Sequence, residues 1–180
     1  MAYAVFESTN MKSTFHSDII SVVAATDIEN GTFGYANGLA TGETEVYNFV
    51  KGTSAGKQVI VADNPAWDAD TSKITNQRKD KYIIPAGTVF RARIVNLGEK
   101  FSISADGFTA ATKADAAKDK FVIIDSTTGK LVVAATASNS SPVMEGVIES
   151  TRIAGVTLVT TANTYGYSRT MYKVRVTTLA

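Results

Sequence analysis

His16 is the only histidine of the chain, and Ser13, Ser17 and Asp18 beside it supply the residue types of a nucleophile, a base and a carboxylate. The spacing argues against that chemistry. Triad members converge from separate elements on a preorganised oxyanion site, whereas neighbours in sequence point apart. His16 therefore reads as a surface or interface histidine. Ser54-Ala55-Gly56-Lys57 fits the Ser-x-x-Lys pattern of acyl-transferring serine enzymes, which must begin a helix; here Gly56 and the strand-forming Val59-Ile60-Val61 predict a turn. Thr128-Gly129-Lys130 has the form of the end of a phosphate loop. The earlier glycine position holds Ile124, however, and Leu131 follows where serine or threonine is required.

Glu43 and Glu45 would share a face of one strand, as paired glycosidase carboxylates could, but exposed acids on an edge strand account for them equally simply. Asp63, Asn64, Asp68 and Asp70 offer oxygen ligands without the spacing or central glycine of an EF-hand, so no metal is expected. Arg78, Lys79 and Lys81, broken by Asp80, read as a solvated linker, because a phosphate-binding track needs more charge and interleaved aromatics. Asn139-Ser140-Ser141 matches a glycosylation sequon that has no use in the absence of a signal peptide. Trp67, Tyr165 and Tyr167 form a candidate glycan-binding platform, set against the ordinary use of aromatics in a core or a subunit contact. No catalytic residue, metal or cofactor emerges, and the expectation is a protein that is not an enzyme.

The elements around these residues are predicted to be β. Threonine, valine and alanine are abundant, prolines number 3, and the 13 glycines fall at intervals that suit turns. In Thr88 to Val95, Phe90, Ala92 and Ile94 alternate with Arg91 and Arg93, which predicts a strand whose arginine face is solvated or packed on a partner. Phe101, Ile103 and Ala105 alternate with serines and Asp106. Tyr172, Val174 and Val176 alternate with Lys173, Arg175 and Thr177. Both read as half-buried strands. Phe121 to Ile124 and Leu131 to Val133 are apolar runs joined by Asp125-Ser126-Thr127-Thr128-Gly129-Lys130, a hairpin signal. Ile28 to Tyr35, Glu43 to Val50 and Gln58 to Ala62 are further strand candidates; Ala110 to Lys118 and one turn near Ser13 to Ile20 are the only helical ones.

The fold class is therefore mainly β, with small barrel-like or sandwich-like units joined by turns and little helix. The polar, irregular stretch from Asn64 to Lys81 places a boundary between an N-terminal β subdomain at 1–78 and a C-terminal β barrel or sandwich at 79–180. Strand-like character at Ala2 to Phe6 and at Met171 to Thr177 leaves room for the chain ends to pair into one unit.

Composition narrows the partners. A chain of 180 residues with 44% apolar content has material for a substantial core, and with no cysteine it has no disulfide or thiol chemistry. A formal net charge of +1 gives no field to draw in nucleic acid or an anionic membrane, so neither is expected as a partner. The amino terminus has no basic leader, and Glu7, Ser8 and Asn10 interrupt its apolar residues, so no signal peptide is expected.

The succession Asn30-Gly31-Thr32-Phe33, Gly42-Glu43-Thr44-Glu45-Val46-Tyr47, Ala86-Gly87-Thr88-Val89-Phe90-Arg91-Ala92-Arg93 and Gly98-Glu99-Lys100-Phe101-Ser102-Ile103-Ser104 resembles small structural proteins of tailed bacteriophages, in particular capsid decoration, or cement, proteins. The similarity covers about the first two thirds of the chain and does not extend past Asn139. It implies a non-enzymatic virion protein, made in the bacterial host cytoplasm, that binds the outer surface of the expanded capsid and stabilises contacts within the major capsid protein lattice. Self-association, as a trimer or as monomers on the capsid, goes with that reading. Phe6, Met11 and Phe15 would then belong to an amino-terminal arm that contacts the capsid; the alternative is an ordinary edge strand. The second functional expectation is a carbohydrate- or receptor-binding tail or head fibre protein using Trp67, Tyr165 and Tyr167.

Overall fold

The computed structural model describes residues 3–12, 18–66, 78–137, 142–159 and 164–180, with backbone alone described for 156–159 and 164–167. The chain is mainly β and builds a closed barrel and a six-stranded sheet. Strands β2 (Ile19–Val23), β3 (Phe33–Leu39), β4 (Val46–Lys51), β5 (Val59–Ala62) and β6 (Val89–Ile94) form the barrel in the order β2-β4-β3-β5-β6. It closes because β6 pairs antiparallel with β2, Val22 opposite Phe90, while β2 and β4 run parallel. Closure leaves the barrel without an open sheet edge. Its interior holds Val22, Ile28, Phe49, Ile60, Ile84, Phe90 and Ala92, with the rings of Phe49 and Phe90 edge to face at 5.4 Å.

Strands β1 (Phe6–Glu7), β7 (Lys100–Ser104), β8 (Phe121–Ile124), β9 (Leu131–Ala134), β10 (Met144–Val159) and β11 (Thr164–Leu179) form the sheet in the order β1-β7-β11-β10-β8-β9. The sheet core takes in Phe101, Ile103, Val122, Leu131, Ile148 and Val174, and also Phe33, Val59 and Val61 from the barrel. Strand β5 explains how one short run serves both units. Side chains alternate across a strand, so Ile60 and Ala62 fill the barrel while Val59 and Val61 face the sheet, and all four residues are buried. An unbroken apolar run is what a strand covered on both sides requires.

The division between the two units differs from a boundary at residue 78. Strand β6 lies beyond that position yet closes the barrel, and β1 lies before it yet belongs to the sheet. The amino-terminal strand pairs with β7, Phe6 opposite Ile103, and β7 pairs with β11, so the two end strands share a sheet with one strand between them.

Residues Phe6 and Met11 are core residues rather than exposed contacts. Phe6 is 6% exposed and stacks at 5.5 Å on Phe101, and Met11 is wholly buried. The segment before β1 is tied down as well. Tyr3 N donates to the Asp80 carbonyl at 2.8 Å, Ala4 N to Glu29 Oε2 at 3.1 Å, and Val5 N to Ser104 Oγ at 2.9 Å. Apolar side chains drawn from water into a core are not available to a second protein, so of the proposed arm only Phe15 remains, and it lies outside the described residues. Strand β1 is the edge strand of the alternative reading.

Two further expectations change. Ala110 to Lys118 is not an α-helix; it contains a 3-10 turn at Lys113–Asp115, since so short a segment cannot offset the cost of helix nucleation. Residues 13–17 of the other helical candidate lie outside the described residues, and Ile19 and Ile20 stand in β2. Strand β7 is buried on both faces, with Ser102 at 7% and Ser104 at 2% exposure; β1 pairs along its edge, and Ser104 Oγ accepts from Val5 N at 2.9 Å.

The hairpin predicted at Phe121 to Val133 forms as β8 and β9, with Ile124 opposite Leu131. Asp125 organises its turn. One carboxylate oxygen accepts the Thr128 hydroxyl at 2.7 Å, Thr128 N–H at 2.7 Å and Thr127 N–H at 3.2 Å. The Thr128 hydroxyl and backbone bonds hold the Asp125 pKa below its ordinary value, against a smaller opposing effect of burial, and the Thr127 bond adds to the lowering. A lowered folded pKa means the stabilisation is complete above the unfolded value near pH 4 and is lost as pH falls through the folded value. Asp125→Asn is expected to cost less than about 1 kcal/mol at neutral pH, since the group is solvent-screened. Urea unfolding midpoints measured from pH 6 down to pH 2.5 should converge for wild type and variant at the acid end; a constant gap would remove the carboxylate from this role.

Candidate interaction surface

Several side chains singled out for chemistry serve the fold. Asp63 pairs with Arg93 and accepts the Ser8 hydroxyl at 2.8 Å. Arg93 is 6% exposed, so the arginine face of β6 is turned inward at this position and not solvated. A guanidinium that deep requires the carboxylate beside it, since an unpaired buried charge is costly. Asn64 exchanges hydrogen bonds with Asn30 and donates to Tyr82 Oη at 2.7 Å. Lys130 Nζ sits between Glu29 Oε1 at 3.2 Å and the Asp106 carbonyl at 3.1 Å. Ser54 and Lys57 close the turn expected of them, Lys57 N donating to the Ser54 carbonyl at 3.2 Å.

Glu43 and Glu45 are exposed in the turn before β4, so they are not neighbours on a strand face. Among the described residues no group of three or more acidic or histidine side chains could hold a metal ion. His16 with Ser13 and Ser17, Trp67 with Asp68 and Asp70, and residues 139–141 of the sequon lie outside the described residues. Also among the described residues, no helix is long and apolar enough to cross a membrane.

The Arg78 to Lys81 cluster is not simply solvated. Asp80 is 4% exposed and accepts from Arg78 Nε at 3.1 Å and Arg78 Nη2 at 3.0 Å, while Arg169 Nη2 of β11 lies 3.6 Å away. Burial lowers the pKa of Arg169, and Asp80 opposes that effect. Arg152 of β10 pairs with Glu7 of β1. These contacts meet at one place, where β10 and β11 leave the sheet.

That departure is the most unusual feature of the molecule. Strands β10 and β11 are 16 residues each, against a usual length of about 5–6. Strand β10 pairs with β8 only at Glu145, Gly146 and Val147, and β11 pairs with β7 only from Met171 to Arg175. From Ile153 opposite Thr170 to Val159 opposite Thr164 the two strands pair with each other and, among the described residues, with no other strand. At about 3.3 Å per residue, these seven pairs make a two-stranded ribbon roughly 20–25 Å long. Arg152 and Arg169 clamp its foot to β1 and to Asp80, which sets its direction.

No charged residue falls between Ile153 and Ser168, and Arg169, opposite Ala154 near the foot, is the one charge in the paired ribbon. Proteins usually protect open strand edges with lysine, proline or a bulge; here, among the described residues, neither edge of a Thr-, Val- and Tyr-rich ladder is paired with a further strand. Ile153 is 74% exposed, more than any other large apolar side chain described. On the barrel, Leu39 and Tyr47 stand opposite each other and are also exposed, at 49% and 37%.

Tyr165 and Tyr167 lie in this ribbon, two positions apart on β11 and therefore on one face, opposite Leu158 and Val156. Two of the three aromatics of the candidate platform thus hold alternate positions of one strand, and Trp67 lies outside the described residues. The ribbon itself escaped the sequence reading, although a signal was present: β-branched runs at 147–159 and 164–176 flank the polar 160–163. Comparisons of the chain with protein-family models, curated proteins and solved structures found no match.

Proposed function

We propose that the chain is a non-enzymatic structural protein of a tailed-bacteriophage virion, which binds the outer surface of the expanded capsid and stabilises contacts between major capsid protein subunits. The projecting β10–β11 ribbon carries this reading. An isolated two-stranded hairpin is marginal in water, and a ribbon whose one charged residue is Arg169 near its foot, paired with no other strand among the described residues, is an element that gains its stability from a neighbouring molecule. The resemblance of the segments around Gly31, Gly42, Gly87 and Gly98 to decoration proteins supplies the kind of assembly. On a symmetric lattice, modest contacts repeated many times retain a protein firmly without a high-affinity single site.

The test is cosedimentation of the purified chain with expanded capsids and, in parallel, with unexpanded procapsids of the same phage. Saturable binding to expanded capsids alone is the expected result. Binding to neither, while intact virions contain the protein, would move it to the tail or a fibre.

The second reading, a carbohydrate- or receptor-binding virion protein, is favoured by one observation: Tyr165 and Tyr167 share a ribbon face. Tyrosine, with an apolar ring and a polar hydroxyl, is enriched at binding surfaces. Loss of glycan binding in a Tyr165→Ala/Tyr167→Ala variant, with capsid binding absent in the wild type, would select it.

A further inference from the structure

Asparagine followed by glycine is a reactive pair. The backbone nitrogen of the second residue can attack the side-chain carbonyl of the first, and a glycine has no Cβ to obstruct the approach. The chain contains two such pairs, Asn30-Gly31 and Asn37-Gly38, both among the described residues. The fold treats them differently.

Asn30 is held at both ends of its amide. It is 9% exposed, its Nδ2 donates to the Asn64 carbonyl at 2.8 Å, and its Oδ1 accepts Asn64 N–H at 2.9 Å. The nitrogen that would attack is occupied as well, since Gly31 N donates to the Ala62 carbonyl at 2.8 Å. Ring closure there would break all three bonds, and buried polar groups left without partners are costly.

Asn37 and Gly38 stand where β3 loosens from β4. The register passes from Ala36 opposite Phe49 to Leu39 opposite Tyr47, so two residues of β3 face Asn48 alone, a bulge in which the ladder is interrupted. Both residues are exposed, and among the described residues no hydrogen bond holds the Asn37 side chain. Gly38 has φ of +72°, and beyond its chain neighbours nothing lies within 4 Å of the place where a Cβ would stand.

We propose that Asn37-Gly38 is a site of spontaneous self-modification, at which the asparagine converts through a cyclic imide into aspartate and isoaspartate while the buried Asn30-Gly31 pair is preserved. The Gly38 nitrogen forms a bond to Asn37 Cγ, the Cγ–Nδ2 bond breaks, and ammonia leaves with the proton of the amide. Water, the only co-reactant, then opens the ring at either carbonyl. Opening at one carbonyl gives aspartate; opening at the other gives isoaspartate, which routes the main chain through Cγ and lengthens it by one atom. That extra atom falls beside the Leu39 carbonyl, which accepts Asn48 Nδ2 at 2.9 Å, and so bears on the exposed Leu39 and Tyr47. The new carboxylate takes the formal net charge from +1 to zero, on a hairpin that already exposes Glu43 and Glu45. The inference concerns the chain alone and does not depend on the virion reading.

The test is incubation of the full-length wild-type protein in mildly alkaline buffer, which raises the population of the attacking amide anion. Phe33 and Tyr35 lie between the two asparagines, so chymotrypsin separates them for mass analysis. A gain of one mass unit is expected at Asn37 several-fold faster than at Asn30, with isoaspartate detected by enzymatic methylation of the Asn37 peptide. In urea the two sites should convert at similar rates, because unfolding removes the bonds that protect Asn30. Equal conversion in the folded protein, or an Asn37 that stays intact when folded and converts only in urea, would overturn the proposal. Gly38→Ala adds a carbon in open space and is expected to slow conversion of Asn37 several-fold. An unchanged rate without isoaspartate would mean direct hydrolysis by water and would exclude attack by the Gly38 nitrogen.

Discussion

Replacing Phe101 with alanine is expected to lower the melting temperature by on the order of 10 °C. The ring is wholly buried and touches two others, Phe6 of β1 at 5.5 Å and Phe33 of β3 at 5.4 Å. It thus joins the edge strand, the sheet and the barrel in one cluster. Truncating a buried phenylalanine costs about 3–5 kcal/mol through lost transfer energy and the cavity left behind, and 1 kcal/mol shifts the melting point of a chain this size by about 2–4 °C. Ile153→Ser also removes apolar side chain, but at 74% exposure, and is expected to change the folding stability by less than about 0.5 kcal/mol. Thermal unfolding followed by circular dichroism compares the two. Equal melting points would remove Phe101 from its place as the shared core residue.

Gly129→Ala is the second large effect, and it acts through backbone rather than through a core. The β8–β9 turn docks onto the barrel: Phe33 N donates to the Gly129 carbonyl at 2.8 Å, and Gly52 N donates to the Phe33 carbonyl at 3.0 Å. A Cβ on Gly129 would stand 2.1 Å from the Phe33 carbonyl oxygen, and one on Gly52 would stand 1.9 Å from the Ser126 carbonyl oxygen. Neither backbone can move without breaking these bonds. Gly129 also has φ of +69°, which adds the left-handed cost of about 1–2 kcal/mol for a residue with a Cβ. The sum is expected to reach about 3–5 kcal/mol, in the range of the most damaging single substitutions. Gly38→Ala separates the two causes, since its φ is +72° but nothing lies within 4 Å of the added carbon. Urea unfolding should show the Gly129 variant losing at least twice what the Gly38 variant loses. Equal losses would mean that the turn does not dock where described.

The hairpin at Phe121 to Val133 was legible because every cause of it is local: two apolar runs, an aspartate that binds its own turn, and a glycine where φ is positive. The same holds for the turn at Ser54 to Lys57 and for the strand alternation of Tyr172, Val174 and Val176. Arg93 was misread because alternation says which residues share a face and not which face meets water; Asp63, thirty positions away, made the difference. Phe6 and Met11 were misread for a related reason. The burial of Phe6 depends on β7, nearly a hundred residues later, lying beside it, and Met11 belongs to the same core. Of the candidate platform, only the pairing of Tyr165 and Tyr167 on one face follows from their spacing, and even that needed the knowledge that 164–179 is a strand.

By itself the sequence determined that this protein is mainly β, where many of its tight turns fall and which residues alternate along its strands, since turn chemistry and side-chain periodicity act over a few neighbouring residues. It also determined that no charged residue falls between Ile153 and Ser168. Only the tertiary structure decided that β6 closes a barrel, that β5 serves two cores, that charged residues such as Asp63, Asp80 and Arg93 are consumed inside the fold, and that β10 and β11 outrun the strands beside them. Strand pairing is a contact between distant segments, chosen by the total burial and hydrogen bonding of the whole chain, and no short window of residues contains that sum.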